Sequence, residues 1–290
     1  MQRPLLRPSF CALPYCDLGY GLGDDSATVD LLIQFAKQQL LAINGQTFEF
    51  RDFIDEPMSD SQMEGQKVRM LLPLPENSEA LLSGFKSKLR SQIRKSEKNG
   101  LHYKIYKNGQ GLDDFYQIFA INMRKLGSPV HSKDWFKHLL NNYHGNCVLS
   151  VVYFEDTPVG AGITLSNNQS TAIPWASTVA EYNKLAPNML LYWSLLKEAC
   201  DNKMCTFDFG RSTFGEGTYR FKAQWGAEPQ LLNWYDAAKQ SQQDFEMLSN
   251  NERESAPKGR LRPLVESIWA KLPLSVTTSV GPRIRKHISL

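Results

Sequence analysis

The sequence predicts a mixed α/β fold, α+β in type, with a mainly antiparallel core. Three observations carry this. Residues 147–177 hold three successive runs of strand-forming residues joined by short turns, the first turn being Asp156-Thr157-Pro158. Apolar residues at three- and four-residue spacing mark helices before and after these runs. From residue 101 onward the order is strand, two helices, three strands, helix, strand, which is not a succession of βαβ units.

The elements follow in chain order. Residues 9–13 read as a short strand in a Gly- and Pro-rich opening. Val29, Leu32, Ile33, Ala36, Leu40 and Ile43 place a helix over 28–43 with Ser26 as its cap. Residues 48–53 and 68–72 are strands around a polar loop, 55–66. Leu82, Phe85, Leu89 and Ile93 predict one helix over 78–99, capped by Ser78 and ended by Gly100. A strand over 103–106 and helices over 112–126 and 132–143 precede the meander. A helix over 188–202 and a strand over 205–209 follow it, and Trp234 opens a final region. Residues 241–257 read as a polar linker, and 261–290 as a basic, Pro-interrupted, partly helical tail.

The 290 residues suggest two domains or one large one, and suffice for a hydrophobic core. The division expected is a partial first domain (1–77), a basic connecting helix (78–100), a second domain (101–240) and the tail (241–290). Apolar residues at 42% and charged residues at 22% exclude a disordered chain. The net charge of +3 is too small to point to DNA. Five scattered cysteines form no disulfide framework and no zinc spacing, so no metal is expected, and buried free thiols are the simpler reading. Pro4, Pro8 and Pro14 interrupt any signal-peptide core, and no apolar run approaches the roughly 20 residues of a membrane helix. A cytoplasmic protein is expected, with the inner membrane surface as an alternative placement.

The richest segment is Phe207-Asp208-Phe209-Gly210-Arg211-Ser212-Thr213, continued by 215–226 with Gly217, Lys222 and Trp225. It reads as a strand ending at Phe209 and then a Gly-rich loop, at the strand end where α/β proteins place sites. Backbone N–H groups from Ser212 to Gly217 could cradle an anion, with Arg211 and Lys222 neutralising phosphate or carboxylate. Asp208 lies between two aromatics and should face away from both. It either orients these cations, binds an amine, or forms a structural salt bridge. Asp208-Phe209-Gly210 is not a kinase signature, because the other kinase motifs are missing. Gly160-Ala161-Gly162 lacks the dinucleotide pattern and marks a close neighbour or ligand. Asn188 opens a helix whose free amides could meet phosphate. Lys86, Lys88, Arg90, Arg94, Lys95 and Lys98 crowd one helix, which is either a solvated face or a surface for RNA, a phosphorylated carrier or a membrane. Arg283, Arg285, Lys286 and His287 raise the same alternatives. The histidines show no ligand spacing, so a general base would be Asp208, Glu181 or the substrate.

Together these segments resemble the FemAB-type transferases. The stretch from Leu89 to Leu101 resembles the family's R-x-x-I-R-K-a-E-x-x-G element. Pro174-Trp175-Ala176, Glu181-Tyr182 and Pro187-Asn188 resemble its middle, and 207–212 with 217–226 its strongest stretch. Trp269-Ala270-Lys271-Leu272-Pro273-Leu274 and Gly281-Pro282-Arg283 resemble the tail of a GNAT-like branch found with exopolysaccharide and PEP-CTERM sorting loci. The resemblance implies two GNAT-like domains with mainly antiparallel sheets, the first incomplete because relatives begin with some dozens more residues. It implies acyl or aminoacyl transfer, from acyl-CoA or aminoacyl-tRNA as co-substrate, to a saccharide or lipid-linked precursor. The resemblance carries over to Lys222, to Arg211 in the matching loop and to the helix start at Asn188. Together with the residue reading above, Lys222, Asp208 and Arg211 are the expected catalytic residues, and Asn188, Ser212, Gly217, Arg94 and Arg90 the expected co-substrate contacts. The usual GNAT diphosphate signature is not spelled at 182–187, and the coiled-coil arm of tRNA-using members is not seen.

Overall fold

A computed structural model describes residues 8–107, 109–143, 146–239 and 262–287. The expected linker over 241–257 lies outside these. Nine strands form one continuous sheet. In chain order they are β1 (Ser9–Cys11), β2 (Thr47–Phe53), β3 (Lys67–Pro73), β4 (Leu101–Tyr106), β5 (Cys147–Phe154), β6 (Thr157–Asn167), β7 (Ser170–Thr178), β8 (Thr206–Thr213) and β9 (Glu228–Asp236). The spatial order is β1-β2-β9-β3-β8-β7-β6-β5-β4. All neighbours are antiparallel except β1/β2 and β7/β8. The expected β5–β7 meander is present. The late strand β9 inserts between β2 and β3, so a strand from residue 228 onward joins the β1–β2 pair to the rest of the sheet.

The helices are α1 (Ser26–Ala42), α2 (Asp60–Met63), α3 (Ser78–Gly84), α4 (Ser87–Lys98), α5 (Leu112–Lys125), α6 (Lys133–Asn142), α7 (Pro187–Asp201), α8 (Gly217–Ala223), α9 (Arg262–Lys271) and α10 (Leu274–Arg285). One core joins β3, β8, β9 and the near halves of β5–β7 to α3, α4 and α7, around Met70, Leu190, Phe207 and Trp225. A second seats α5 and α6 on Leu149, Val151, Ala161 and Ile163. Val151 and Val152 enter different cores, as the two-residue period of a strand requires. A small third core holds α1 against Phe48, Phe50 and Tyr235.

Several local expectations are corrected. The single helix over 78–99 is broken at Phe85, whose backbone is extended (φ −69°, ψ 146°). The break seats the Phe85 ring against Trp193 and Trp225, at 6.1 and 5.5 Å between centroids. Asn77, not Ser78, caps α3 by accepting the Ala80 N–H at 2.8 Å. Asp25, not Ser26, caps α1. The loop over 55–66 contains the single turn α2. β8 runs on to Thr213, so the expected Gly-rich loop begins as strand. Trp234 lies inside β9 rather than opening a new region. All five cysteines are free, but Cys16 and Cys205 are exposed. The neighbour that requires small residues at 160–162 is α7: a Cβ at Gly162 would meet Leu195 at 3.1 Å and the Trp175 carbonyl at 3.1 Å.

Arg51, fully buried, ties the segment preceding α1 to the sheet. It donates to the carbonyls of Leu13 (3.2 Å) and Cys16 (2.5 Å), to Glu49 through Nε (2.6 Å), and pairs with Glu49 through a second nitrogen. Its guanidinium lies 4.5 Å from the Trp234 ring centroid. Arg51→Met leaves two carbonyls without their donor, a cost of about 1–3 kcal/mol. Urea denaturation is expected to show that loss, together with faster proteolysis within residues 12–19.

Candidate active site at the parting of two parallel strands

β7 and β8 run parallel and pair only over Ser170–Ala172 against Thr206–Asp208. Beyond Ala172 and Asp208 they part, and the candidate site residues gather on the β8 side of the parting. Phe207 and Phe209 enter the core beneath α7. Asp208, between them, faces away, as its position predicts. Strict alternation would then return Arg211 to the phenylalanine face. It does not, because β8 carries a bulge: Arg211 opposes Arg69 while Asp208 opposes Leu71, so three steps on β8 match two on β3. Gly210 takes up the extra residue at φ 72°, a left-handed conformation that suits glycine. The bulge therefore turns Arg211 to the polar face and sends Ser212 into the interior, 4% exposed.

Three side chains fix the bulge. Asp208 Oδ1 accepts the Gly210 N–H at 2.7 Å. Asp17 Oδ2 accepts the Arg211 N–H at 3.1 Å. Lys222 Nζ donates to the carbonyls of Gly210 (3.0 Å) and Arg211 (2.8 Å). Lys222 comes from α8 and is buried, 8% exposed. Burial lowers its pKa to about 8, against the opposing pull of Asp17 and Asp208. Burial likewise raises the pKa of Asp208, although the Gly210 N–H, Arg69 and Lys222 stabilise the anion. Arg211 Nε lies 3.5 Å from Asp17 Oδ1, and its guanidinium 4.6 Å from the Trp234 ring centroid. Trp234 in turn donates from Nε1 to the Asp17 carbonyl at 2.9 Å. Arg69, half-buried, adds a second guanidinium, held by Gln230 Oε1 at 2.5 Å and packed 4.5 Å from the Phe53 ring centroid.

The structure thus brings Lys222, Asp208 and Arg211 together. Asn188 opens α7 after Ala186 (φ 61°) and Pro187, its side chain half-exposed. One turn on, Tyr192 stacks on Phe209 (5.6 Å) and meets Phe221 (5.0 Å), so the start of α7 adjoins the bulge and the lysine's helix. A 3₁₀ helix, Ala180–Leu185, fills the approach to α7, with Glu181 exposed on it. Gly217 begins α8, but Ser212 pairs with Val68 inside β8, so an unbroken anion cradle from Ser212 to Gly217 is not what the backbone forms. Arg90 and Arg94 lie on α4, away from this cluster's bonds. Arg90 caps the Ser83 carbonyl at 3.0 Å, and Arg94 is exposed. The carboxyl end of α4 does reach the approach to α7, where Asn99 Nδ2 donates to the Leu185 carbonyl at 3.3 Å. Two surface cavities, of about 350 and 570 Å³, lie elsewhere. The first shares Gln230 with the Arg69 network.

Sequence reasoning missed Asp17, Arg51, Arg69 and Trp234 as site residues. It also missed His131, buried between the Trp135 ring, stacked at 4.5 Å, and the Tyr15 ring, edge-on at 4.9 Å. Arg285 Nε donates to His131 Nε2 at 3.4 Å. Burial first, and the Arg285 charge second, lower the His131 pKa to about 4.

The family description "Acetyltransferase (GNAT) domain" matches residues 83–223. The fold is mixed α/β with GNAT-like topology. The chain is similar to the crystal structure of FemX, with a TM-score of 0.56 and 14% identity over 77% of this chain and 79% of that one. It is similar to the C-terminal domain of a putative lysylphosphatidylglycerol synthetase from Agrobacterium fabrum, with a TM-score of 0.51 and 13% identity over 78% of each chain. It is also similar to L-PGS from Bacillus licheniformis, with a TM-score of 0.50 and 13% identity over 76% and 77%. No curated protein matches by sequence. Among the described residues no helix is long and apolar enough to cross a membrane.

The depressed His131 pKa has a definite sign. The unfolded imidazole takes up its proton near 6.5 and the folded one only near 4, so His131 contributes stability above 6.5 that is lost as pH falls toward 4. Urea midpoints measured from pH 7 down to pH about 4.5 should fall more steeply for the parent protein than for His131→Gln.

Proposed function

We propose that the protein is an acyltransferase that works at the β7/β8 parting. It would move an acyl group from an activated donor, acyl-CoA or aminoacyl-tRNA, to an amine or hydroxyl of an envelope polysaccharide or its lipid-linked precursor. The observation that supports this best is the site itself: a buried lysine, two arginines and two carboxylates gathered beside a parting of parallel strands, in a fold of the acyltransferase type. In the reaction the acceptor nitrogen or oxygen bonds to the acyl carbon, and the donor's C–S or C–O bond breaks. The leaving thiol or hydroxyl takes the proton that the acceptor gives up. Arg211 and Arg69 suit donor phosphate or carboxylate. Lys222 has one N–H left beyond its two carbonyls and suits the charge that develops on the carbonyl oxygen. Asp208, its pKa raised, suits the acceptor's proton. Asn188 and the start of α7 suit donor phosphate.

The name of one similar structure, a putative lysylphosphatidylglycerol synthetase, supports a lipid-carried acceptor, while aminoacyl-tRNA as donor rests on the resemblance at 89–101 and 207–226. Placement in an exopolysaccharide or PEP-CTERM system rests on the motifs at 269–274 and 281–283, and placement at the inner membrane surface on the basic segments 86–98 and 283–287. A binding or scaffold role without chemistry is the second reading. It is favoured by the commitment of Lys222 to two backbone carbonyls and of Arg211 to Asp17.

Native mass spectrometry of the purified protein with acyl-CoAs and with charged tRNAs separates these. A retained acyl-CoA identifies a GNAT-type donor, and a retained charged tRNA identifies aminoacyl transfer. Binding of a lipid-linked glycan without product supports the scaffold role. With the donor known, Lys222→Ala should lower turnover by about tenfold or more, with near-UV circular dichroism retained. Because the ammonium is charged only below about 8, turnover that depends on its charge should fall as pH rises through about 8 and not near 10.5.

A further inference from the structure

The tail helices α9 and α10 both pack on α5, and each is two-faced. The inner side is closely fitted. Thr277 and Gly281 are buried, and a Cβ at Gly281 would meet the Val130 nitrogen at 3.0 Å. Leu274 joins the α5/α6 core. Arg124 donates to the Leu272 carbonyl at 3.5 Å, and Glu266 packs against Gly127. The outer side is apolar and open. On α9, Leu264, Val265 and Ile268 are 55–58% exposed. On α10, Val276, Val280 and Ile284 recur every fourth residue, each 37–39% exposed. A polypeptide folded for water alone has no use for six outward aliphatics on two neighbouring helices.

Charge says what they meet. Residues 262–287 contain Arg262, Lys271, Arg283, Arg285 and Lys286 against one acid, Glu266, and that acid is on the inner side. Lys271, Arg283 and Lys286 are exposed beside the aliphatics. Exposed aliphatics flanked by cations, without outward acids, match an anionic lipid surface, where the apolar face enters the acyl boundary and the cations meet headgroups. α1 also exposes Leu31, Leu32 and Phe35, but Asp30 and Lys37 leave it without a net cationic edge, so it carries no such argument.

We propose that α9 and α10 form a docking surface for an anionic bilayer. The same helices touch the region of the site. Arg285 bonds His131, and its carbonyl accepts the Tyr15 hydroxyl at 3.2 Å, two residues before Asp17. The docking inference rests on the faces of α9 and α10 and does not require the acyl-transfer reading.

Flotation of the whole protein with vesicles tests it, using phosphatidylcholine alone or with about one third phosphatidylglycerol. Binding is expected to the anionic vesicles and to weaken as salt rises. Arg283→Ser with Lys286→Ser should lower it about tenfold or more, and Val276→Ser with Val280→Ser and Ile284→Ser should abolish it. Arg283 and Lys286 are exposed and the three aliphatics 37–39% exposed, so both variants should keep a cooperative thermal melt above the assay temperature. No flotation on anionic vesicles, or equal flotation of the parent and both variants, overturns the proposal. So does a concentration-dependent dimer lost in the aliphatic variant, since the face would then join two copies.

Discussion

One extra residue in β8 governs the polar face of this protein. Without the bulge at Gly210, Arg211 would point into the phenylalanine core and Ser212 outward. A buried guanidinium without a partner would be too costly to keep there. The bulge removes that conflict but exposes the backbone groups of Gly210 and Arg211 at the parting, where β7 no longer supplies partners. Asp208, Asp17 and Lys222 take that place. The same three groups are the charged centre of the candidate site, so holding the backbone and building the site are one arrangement.

That arrangement draws on distant parts of the chain. Asp17 comes from the segment before α1, Lys222 from α8, and Arg211 from the centre of the sheet. Trp234 on β9 connects them: it bonds the Asp17 carbonyl and lies against the guanidiniums of Arg211 and Arg51. Arg51, paired with Trp234 across β2 and β9, holds the carbonyls of Leu13 and Cys16. Phe50 and Tyr235, the next residues along, face α1 instead. Alternation along two strands thus separates an apolar face that holds a helix from a polar face that holds a loop.

Much of the framework was legible in the sequence. The meander at 147–178, the helix from 187 and the strand through 207–209 follow from periodicity and turn residues. The Gly-rich, charged stretch 207–226 singles out Lys222, Asp208 and Arg211, which the structure draws into one network around the bulge. The misreadings share a physical cause. Gly210 and Gly215 look like punctuation and suggest a loop at Ser212, yet one glycine serves a bulge and pairing with β3 continues beyond it. The helix over 78–99 was read as unbroken because its apolar stripe is continuous. The break depends on a pocket between Trp193 and Trp225 that local sequence does not describe.

The sequence by itself determined the strand meander, most of the helices, which side of β8 holds Asp208 and which fold family they resemble, because periodicity, propensity and motif spacing are local. Only the tertiary structure decided that β9 lies between β2 and β3, that Asp17 rather than Asp208 pairs with Arg211, and that Arg90 stays apart from Lys222. These depend on strand register and on contacts between distant residues, such as Trp234 and Asp17, 217 positions apart. No local pattern encodes such contacts, and they form only when the whole sheet closes.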